Sequence, residues 1–218
     1  NLIPIFSDII PPDKEISNLI NKVRLPFEKE CNRVIGETEK LLYRRGNFNG
    51  SWDDVICDTI IQERDTEISL SPGFRWGTSI LPGQKITIDD IYSQTAMNYP
   101  EVYRTEMTGK MIKELLEDVC DNIFNPDPFF QQGGDMVRVG GLTYTCSPKN
   151  EIGKRISNLR MVSKDKPLEA SKKYVVGGWG SINPNVEGPP IYRLLENYIS
   201  NKKILTKNNL NAVNIKGM

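Results

Sequence analysis

The chain has 218 residues, enough for one large domain or two small ones with a sizeable core, and its 28 Lys plus Arg balance 28 Asp plus Glu. Zero formal net charge gives no electrostatic reason to expect nucleic acid or an anionic membrane as partner, and no apolar run approaches the roughly 18 residues of a membrane span. Histidine is absent, which removes the commonest metal ligand, the commonest general base near neutral pH and a self-contained Ser/His or Cys/His hydrolase.

Cys31, Cys57, Cys120 and Cys146 are scattered and make no CxxC pair, so neither a zinc knuckle nor a redox motif is predicted. Cys57 and Cys120 fall on apolar helix faces as small buried thiols, and a disulfide among the four stays open. The sequence starts at Asn1 without a basic-then-apolar leader and reads as a processed piece or an excised domain.

Residues 1–10 are apolar and end at Pro11-Pro12, a stiff connector. Asp13 then caps a helix whose Ile16, Leu19, Ile20, Val23 and Phe27 form one stripe, and Pro26 stops it. That is the pattern of an interdomain arm, or else of a first core helix. Residues 34–43 read as a strand and run into Arg44-Arg45-Gly46-Asn47-Phe48-Asn49-Gly50. Ser51 with Asp54 resembles a capping box, opening a helix with Trp52, Val55, Ile56, Thr59 and Ile60 on one face. The loop thereby delivers Arg45, Asn47 and Asn49 to a helix N-terminus, where free backbone N–H groups favour anions.

A short strand at 67–70 leads into Ser71-Pro72-Gly73-Phe74-Arg75-Trp76-Gly77. Pro72-Gly73 forces a turn. Beyond it, Arg75 is a forked donor for a sulfonate, phosphate or carboxylate, and Trp76 is a flat apolar wall. This is the pattern of an anion-recognition loop; the alternative is an Arg that pins the loop to a carboxylate above a packed Trp. Residues 86–92 form a short helix or a strand–helix junction, and 95–99 and 102–107 are strand-like around Pro100.

Thr108 caps the clearest helix, with Met111, Ile112, Leu115, Leu116, Val119, Ile123 and Phe124 along one side, a core stripe. Residues 125–134 are too aromatic for an idle connector and are expected to cover a cleft. Residues 135–146 read as a strand with Val137 and Val139 on one face, Arg138 on a solvated one, and Gly140-Gly141 marking a bulge or close approach. Residues 155–162 and 174–176 look like a hairpin around 164–167. Pro190 can begin a helix with Ile191, Leu194, Leu195, Tyr198 and Ile199 inward. Trp179 reads as core or domain interface. The tail after Lys202 lacks a period and is expected to be poorly ordered or to lie on the surface. Together these elements predict an α+β fold of mixed sheets with packed amphipathic helices. Its loops at 44–50, 71–83 and 129–135, with 177–190 as a candidate fourth, would form one mouth.

Several motifs share order and spacing with a known family. Ser71-Pro72-Gly73-Phe74-Arg75, then Gly83 and Ile86-Thr87-Ile88-Asp89-Asp90-Ile91-Tyr92, resemble the C-terminal domain of 5′-nucleotidases. So do Met107-Thr108-Gly109 and Val139-Gly140-Gly141-Leu142-Thr143-Tyr144 followed by Pro148 and Gly153. Tyr43–Gly50, Ser71–Gly77, Asn125-Pro126-Asp127-Pro128 and residues 131–141 look closer to the SoxB thiosulfohydrolases of that superfamily. Nucleotidases sandwich the base between two rings; here Met136 stands at the first place and Gly188-Pro189-Pro190-Ile191 replaces the second loop, which weakens a nucleotide reading.

The resemblance implies an organisation of residues 1–32 as interdomain connector and helix, 33–202 as substrate-recognition domain and 203–218 as C-terminal tail. It implies a metallophosphatase-like N-terminal domain, absent from this chain, that holds two manganese ions. It further implies a periplasmic hydrolase that releases sulfate from a cysteine-S-thiosulfonate carried on an arm of SoxYZ. On this reading Arg75 and Arg45, with Arg44 as the alternative to Arg45, neutralise the sulfonate; Asn47 and Asn49 add neutral donors; Trp76 walls the arm's path; and Gln132 and Asp135 bond the arm's backbone or their own loop. No catalytic or metal-binding residue is expected in the chain itself. The alternatives are the specificity domain of a nucleotide hydrolase and a non-catalytic module that docks a protein arm.

Overall fold

The computed structural model describes residues 3–6, 8–44, 46–73, 77–95, 98–181, 183, 185–206 and 213–217. The first helix, α1 (Lys14–Arg24), is capped by the Asp13 carboxylate, which accepts from Ile16 N at 2.9 Å. None of its residues is buried, and the stripe Ile16, Leu19, Ile20 and Val23 faces outward. After a short α2 (Glu28–Cys31), β1 (Val34–Thr38) ends well before Tyr43. The Thr38 hydroxyl turns the chain there by bonding both N–H and carbonyl of Lys40, a local side-chain turn that competes with strand pairing.

The centre of the fold is α3 (Ser51–Arg64), buried over most of its length. Trp52, Val55, Ile56 and Ile60 face a first core, closed by β1, β3 (Lys85–Thr87), α4 (Ile88–Thr95) and α6 (Ile191–Lys202). On its other side α3 meets a four-stranded sheet of order β4-β9-β2-β5, made of β4 (Tyr103–Thr108), β9 (Lys173–Gly178), β2 (Ile68–Ser71) and β5 (Arg138–Gly140). Gly140 is required for that approach, because a Cβ there would stand 2.7 Å from Cys57 Cβ and 2.4 Å from Ser69 Oγ. A second core lies beyond, between this sheet, α5 (Gly109–Phe124) and the sheet β11-β6-β7-β8. The latter comprises β6 (Leu142–Cys146), β7 (Ile156–Met161), β8 (Lys166–Pro167) and β11 (Val213–Ile215). The architecture is α+β, as the pattern predicts.

Four local expectations are corrected. The N-cap of α3 is Gly50, not Ser51; the Ser51 hydroxyl instead accepts from Tyr43 N and donates to the Leu41 carbonyl, tying the preceding loop to the helix. Residue 95 ends α4 rather than starting a strand. The hairpin partner of β7 is β8, whereas β9 crosses into the other sheet, parallel to β2 and antiparallel to β4. The tail pairs: β10 (Ile204–Leu205) lies parallel to β1 and buries Leu205, and β11 lies parallel to β6.

Thr108 caps α5 through Met111 N, and Ile112, Leu116 and Cys120 of its apolar stripe are fully buried. One polar residue on that helix clamps it to the neighbouring sheet. The buried Glu117 carboxylate accepts from the backbone N–H groups of Gly153, Arg155 and Ile156 at 2.8–3.2 Å, and from Lys113 Nζ. Glu117→Ala strands those three donors and is expected to cost about 3 kcal/mol, read as a lower urea midpoint at unchanged m-value. Lys113→Ala, which removes a half-exposed partner, is expected to cost under about 1 kcal/mol. Equal losses for the two variants would contradict this assignment.

Candidate functional site

The loops that the sequence points to are joined from below by a buried ion cluster. Arg44, at 2% exposure, donates through Nε to Asp53 Oδ1, through Nη1 to the Gln94 carbonyl and through Nη2 to the Pro72 carbonyl, each at 2.7 Å. Asp53 lies in the first turn of α3, and its Oδ2 stands 3.2 Å from Arg138 Nε. Arg138 in turn donates to the Gly46 carbonyl and stands 3.7 Å from Asp135 Oδ2. Two cations thus meet two anions, and further donors of the two guanidinium groups end on the carbonyls of Gly46, Pro72 and Gln94, while Asp135 brings in the segment at 129–135.

Three further contacts close the same assembly. Met136 N donates to the Asn47 carbonyl at 3.2 Å. Gly73 is pressed against the Asp135–Met136 backbone so closely that a Cβ would lie 2.3 Å from the Met136 carbonyl oxygen. Phe48 stacks on Phe124, at the end of α5, with centroids 6.1 Å apart. The fourth loop joins through Trp179, whose indole N–H donates to Ser71 Oγ at 2.8 Å.

Burial opposes the charges in this cluster. It pushes the Asp53 carboxyl up from its ordinary value against the pull of Arg44 and Arg138, and it pushes the Arg138 guanidinium down against the pull of Asp53 and Asp135. A lone charge here would be expensive; the pairing is what makes the site tolerable.

Arg138 is therefore not on a solvated face, as strand alternation predicts, but 1% exposed. β5 has α3 on one side and the second core on the other, so neither of its faces meets water. Of the candidate binding residues, Arg45, Arg75 and Trp76 lie outside the described residues. Asn47 is exposed and Asn49 half-buried beside the α3 N-terminus. Gln132 is exposed, with its backbone held to the Asn122 carbonyl at the end of α5. The Asp135 carboxylate turns inward toward Arg138.

Next to this assembly opens a cleft of about 760 Å³. Tyr103 and Met107 of β4, Met111 and Leu115 of α5, Val137 and Trp179 give it apolar and aromatic walls, Arg104, Glu106 and Glu187 bring charge to it, and Ser71 and Pro72 join the lining. None of Asn47, Asn49, Gln132 or Asp135 lines it. Tyr103 belongs to the strand-like run at 102–107, and no signal in the sequence marks it as a cleft residue. Among the described residues, no group of three or more His, Cys, Asp or Glu is placed to hold a metal ion. Among the same residues, no helix is long and apolar enough to cross a membrane.

The profile of the 5′-nucleotidase C-terminal domain matches residues 34–183, well over half of the chain. The chain belongs to the 5′-nucleotidase C-terminal domain family. Among solved structures, this family member is similar to the sulfate thiohydrolase SoxB of Thermus thermophilus, solved with glycerol. The two share 31% identity over 99% of this chain and 41% of that one, with a TM-score of 0.91. It is also similar to a 5′-nucleotidase precursor, likewise from Thermus thermophilus, at 18% identity over 95% of this chain and 44% of that one, TM-score 0.79. The NAD nucleotidase of Haemophilus influenzae follows at 17% identity, 94% and 42% coverage and a TM-score of 0.68. The last two likenesses speak for the fold alone. No curated protein matches the chain. The chain spans about two-fifths of the length of these structures.

Within the family fold, Met136 is fully buried in the second core. It is not a wall of the cleft, so this position offers nothing for a base to stack on. Asp53→Ala leaves two guanidinium groups buried without their shared anion and is expected to cost about 4 kcal/mol, measured by chemical denaturation. A loss within about 1 kcal/mol, the scale of an exposed pair, would contradict the cluster's role.

Proposed function

We propose that this chain is the substrate-recognition part of a SoxB-like hydrolase that removes the terminal sulfonate, as sulfate, from a cysteine-S-thiosulfonate on a SoxYZ-like carrier arm. The carrying observation is the likeness to SoxB over 99% of the chain at 31% identity, against 18% for the nucleotidase precursor. The burial of Met136, where a nucleotide reading needs a ring, supports the same choice.

Arg75 and Arg45 would neutralise the sulfonate, Asn47 and Asn49 would supply neutral donors at the start of α3, and Trp76 would wall the arm's path. Gln132, whose side chain is exposed, would bond the arm's backbone, while Asp135 holds the loop through Arg138. Residues 1–32 would connect to a metallophosphatase-like domain carrying two manganese ions, which supplies the hydrolytic water. The outward apolar stripe of α1 is what a connector packed on another domain presents. Residues 33–202 form the recognition domain and 203–218 its tail, and the protein would work in the periplasm.

The test is a competition of substrates on the protein joined to its metal-bearing domain. Thiosulfonated carrier should be turned over and nucleotides should not; substantial nucleotide turnover would move the assignment to a nucleotide hydrolase. In the same protein, Arg75→Ala should lower kcat/KM for the carrier by about 10- to 100-fold, the loss of one charge-assisted pair. An unchanged kcat/KM would remove Arg75 from the site. The 218-residue chain alone should hydrolyse neither substrate, and activity that survives rigorous purification would refute that.

A further inference from the structure

Two thiols meet in the second core, away from the loop cluster. Cys120 on α5 and Cys146 at the end of β6 are each at 0% exposure, 26 positions apart in sequence, with their sulfurs in contact at 3.6 Å. Their neighbours fix this meeting. Glu117, Cys120 and Asp121 share one face of α5 through their helical spacing. Glu117 accepts from Arg155 N and Ile156 N, and Asp121 pairs with the Arg155 guanidinium. Ile156 is the register partner of Cys146 in the β6–β7 ladder. The ties that clamp α5 onto β7 therefore set Cys120 against the next strand over, where Cys146 ends β6.

The remaining thiols are placed differently. Cys57 lies on α3 against Gly140, and Cys31 is half-buried on α2. Joining the Cys120 and Cys146 sulfurs needs an approach of about 1.5 Å from their places in the folded core, so the native fold accommodates the bond with a small side-chain shift.

We propose that Cys120 and Cys146 form an intramolecular disulfide when the chain folds under oxidising conditions, stapling α5 to the sheet that contains β6. Burial dictates the timing: neither sulfur is reachable once the core has closed, so the bond forms before closure. The chemistry is exchange with a small-molecule disulfide such as oxidised glutathione. One cysteine, having lost its proton to solvent, attacks a glutathione sulfur; the glutathione S–S bond breaks and one glutathione leaves as its thiol. The second cysteine, also deprotonated, attacks the protein sulfur of the mixed disulfide and expels the second glutathione. The two cysteines lose two electrons and two protons in all, and one oxidised glutathione becomes two reduced ones. The staple limits the unfolded ensemble and fixes the helix that supplies Met111 and Leu115 to the cleft.

The test refolds the 218-residue chain from denaturant in an oxidised/reduced glutathione buffer, alkylates the remaining thiols in denaturant and maps the products by mass spectrometry. The expected map has alkylated Cys31 and Cys57 and one cross-linked peptide joining Cys120 to Cys146. The melting temperature of that product should lie about 5 °C or more above that of the same chain reduced in denaturant and refolded with reductant present. Cys120→Ser, refolded in parallel, should carry three alkylated thiols and melt at a temperature insensitive to reductant. Four alkylated cysteines in the parent chain, or a cross-link between any other pair, overturns the proposal, and the parent's map decides whether or not the variant folds.

Discussion

Asp53 buried between two guanidinium groups is the constraint on which the rest of the structure depends. A carboxylate at the start of a helix buried over most of its length has to be neutralised in place, and Arg44 does so from a loop and Arg138 from the start of β5. Each arginine has donors left over, and each spends them on the backbone of a further loop: Arg44 on Pro72, Arg138 on Gly46. Short connections that would otherwise move independently become one surface anchored to α3. A guanidinium suits this role because its planar fork serves several acceptors at once, which an ammonium on a flexible stem does not.

The anchoring matters for recognition because an anion-binding loop works only if its donors are held in place before the ligand arrives. The candidate donors belong to segments that flank the cluster, while the cluster's own charges pair with one another. Positioning and binding are thus divided between neighbouring residues: Arg44 is spent inside the protein, and Arg45 and Arg75 belong to the proposed binding set. The cleft beside the cluster combines Tyr103 and Trp179 with the charged Arg104, Glu106 and Glu187 in its lining.

Much of the fold was legible in the sequence because its signals are local. Asp13 and Thr108 announce the caps they make, the stripe from Met111 to Phe124 gives α5, and the junction at 86–92 resolves into β3 and α4. What escaped is non-local. Alternation assigns Arg138 to a face of β5, but only the packing of α3 over that strand decides that the face is dry. Strand spacing makes 174–176 the natural partner of β7, yet β9 gains a six-residue ladder with β4 in another sheet. Arg44 and Arg45 are indistinguishable as adjacent letters, and it is the burial of Asp53 nine positions on that selects Arg44 for the interior. The family motifs point to these loops without showing that an ion cluster beneath them ties them together.

The claim that this cluster organises the loops is tested most directly by hydrogen exchange on Asp53→Asn, compared with the parent chain under conditions where both are folded. If one carboxylate holds the loops, the amides of residues 46–49, 73 and 135–138 lose protection together while those of α5 and the β6–β7 ladder keep theirs. If protection falls only around residue 53, with the other segments unchanged, the loops are held by something else and the account fails.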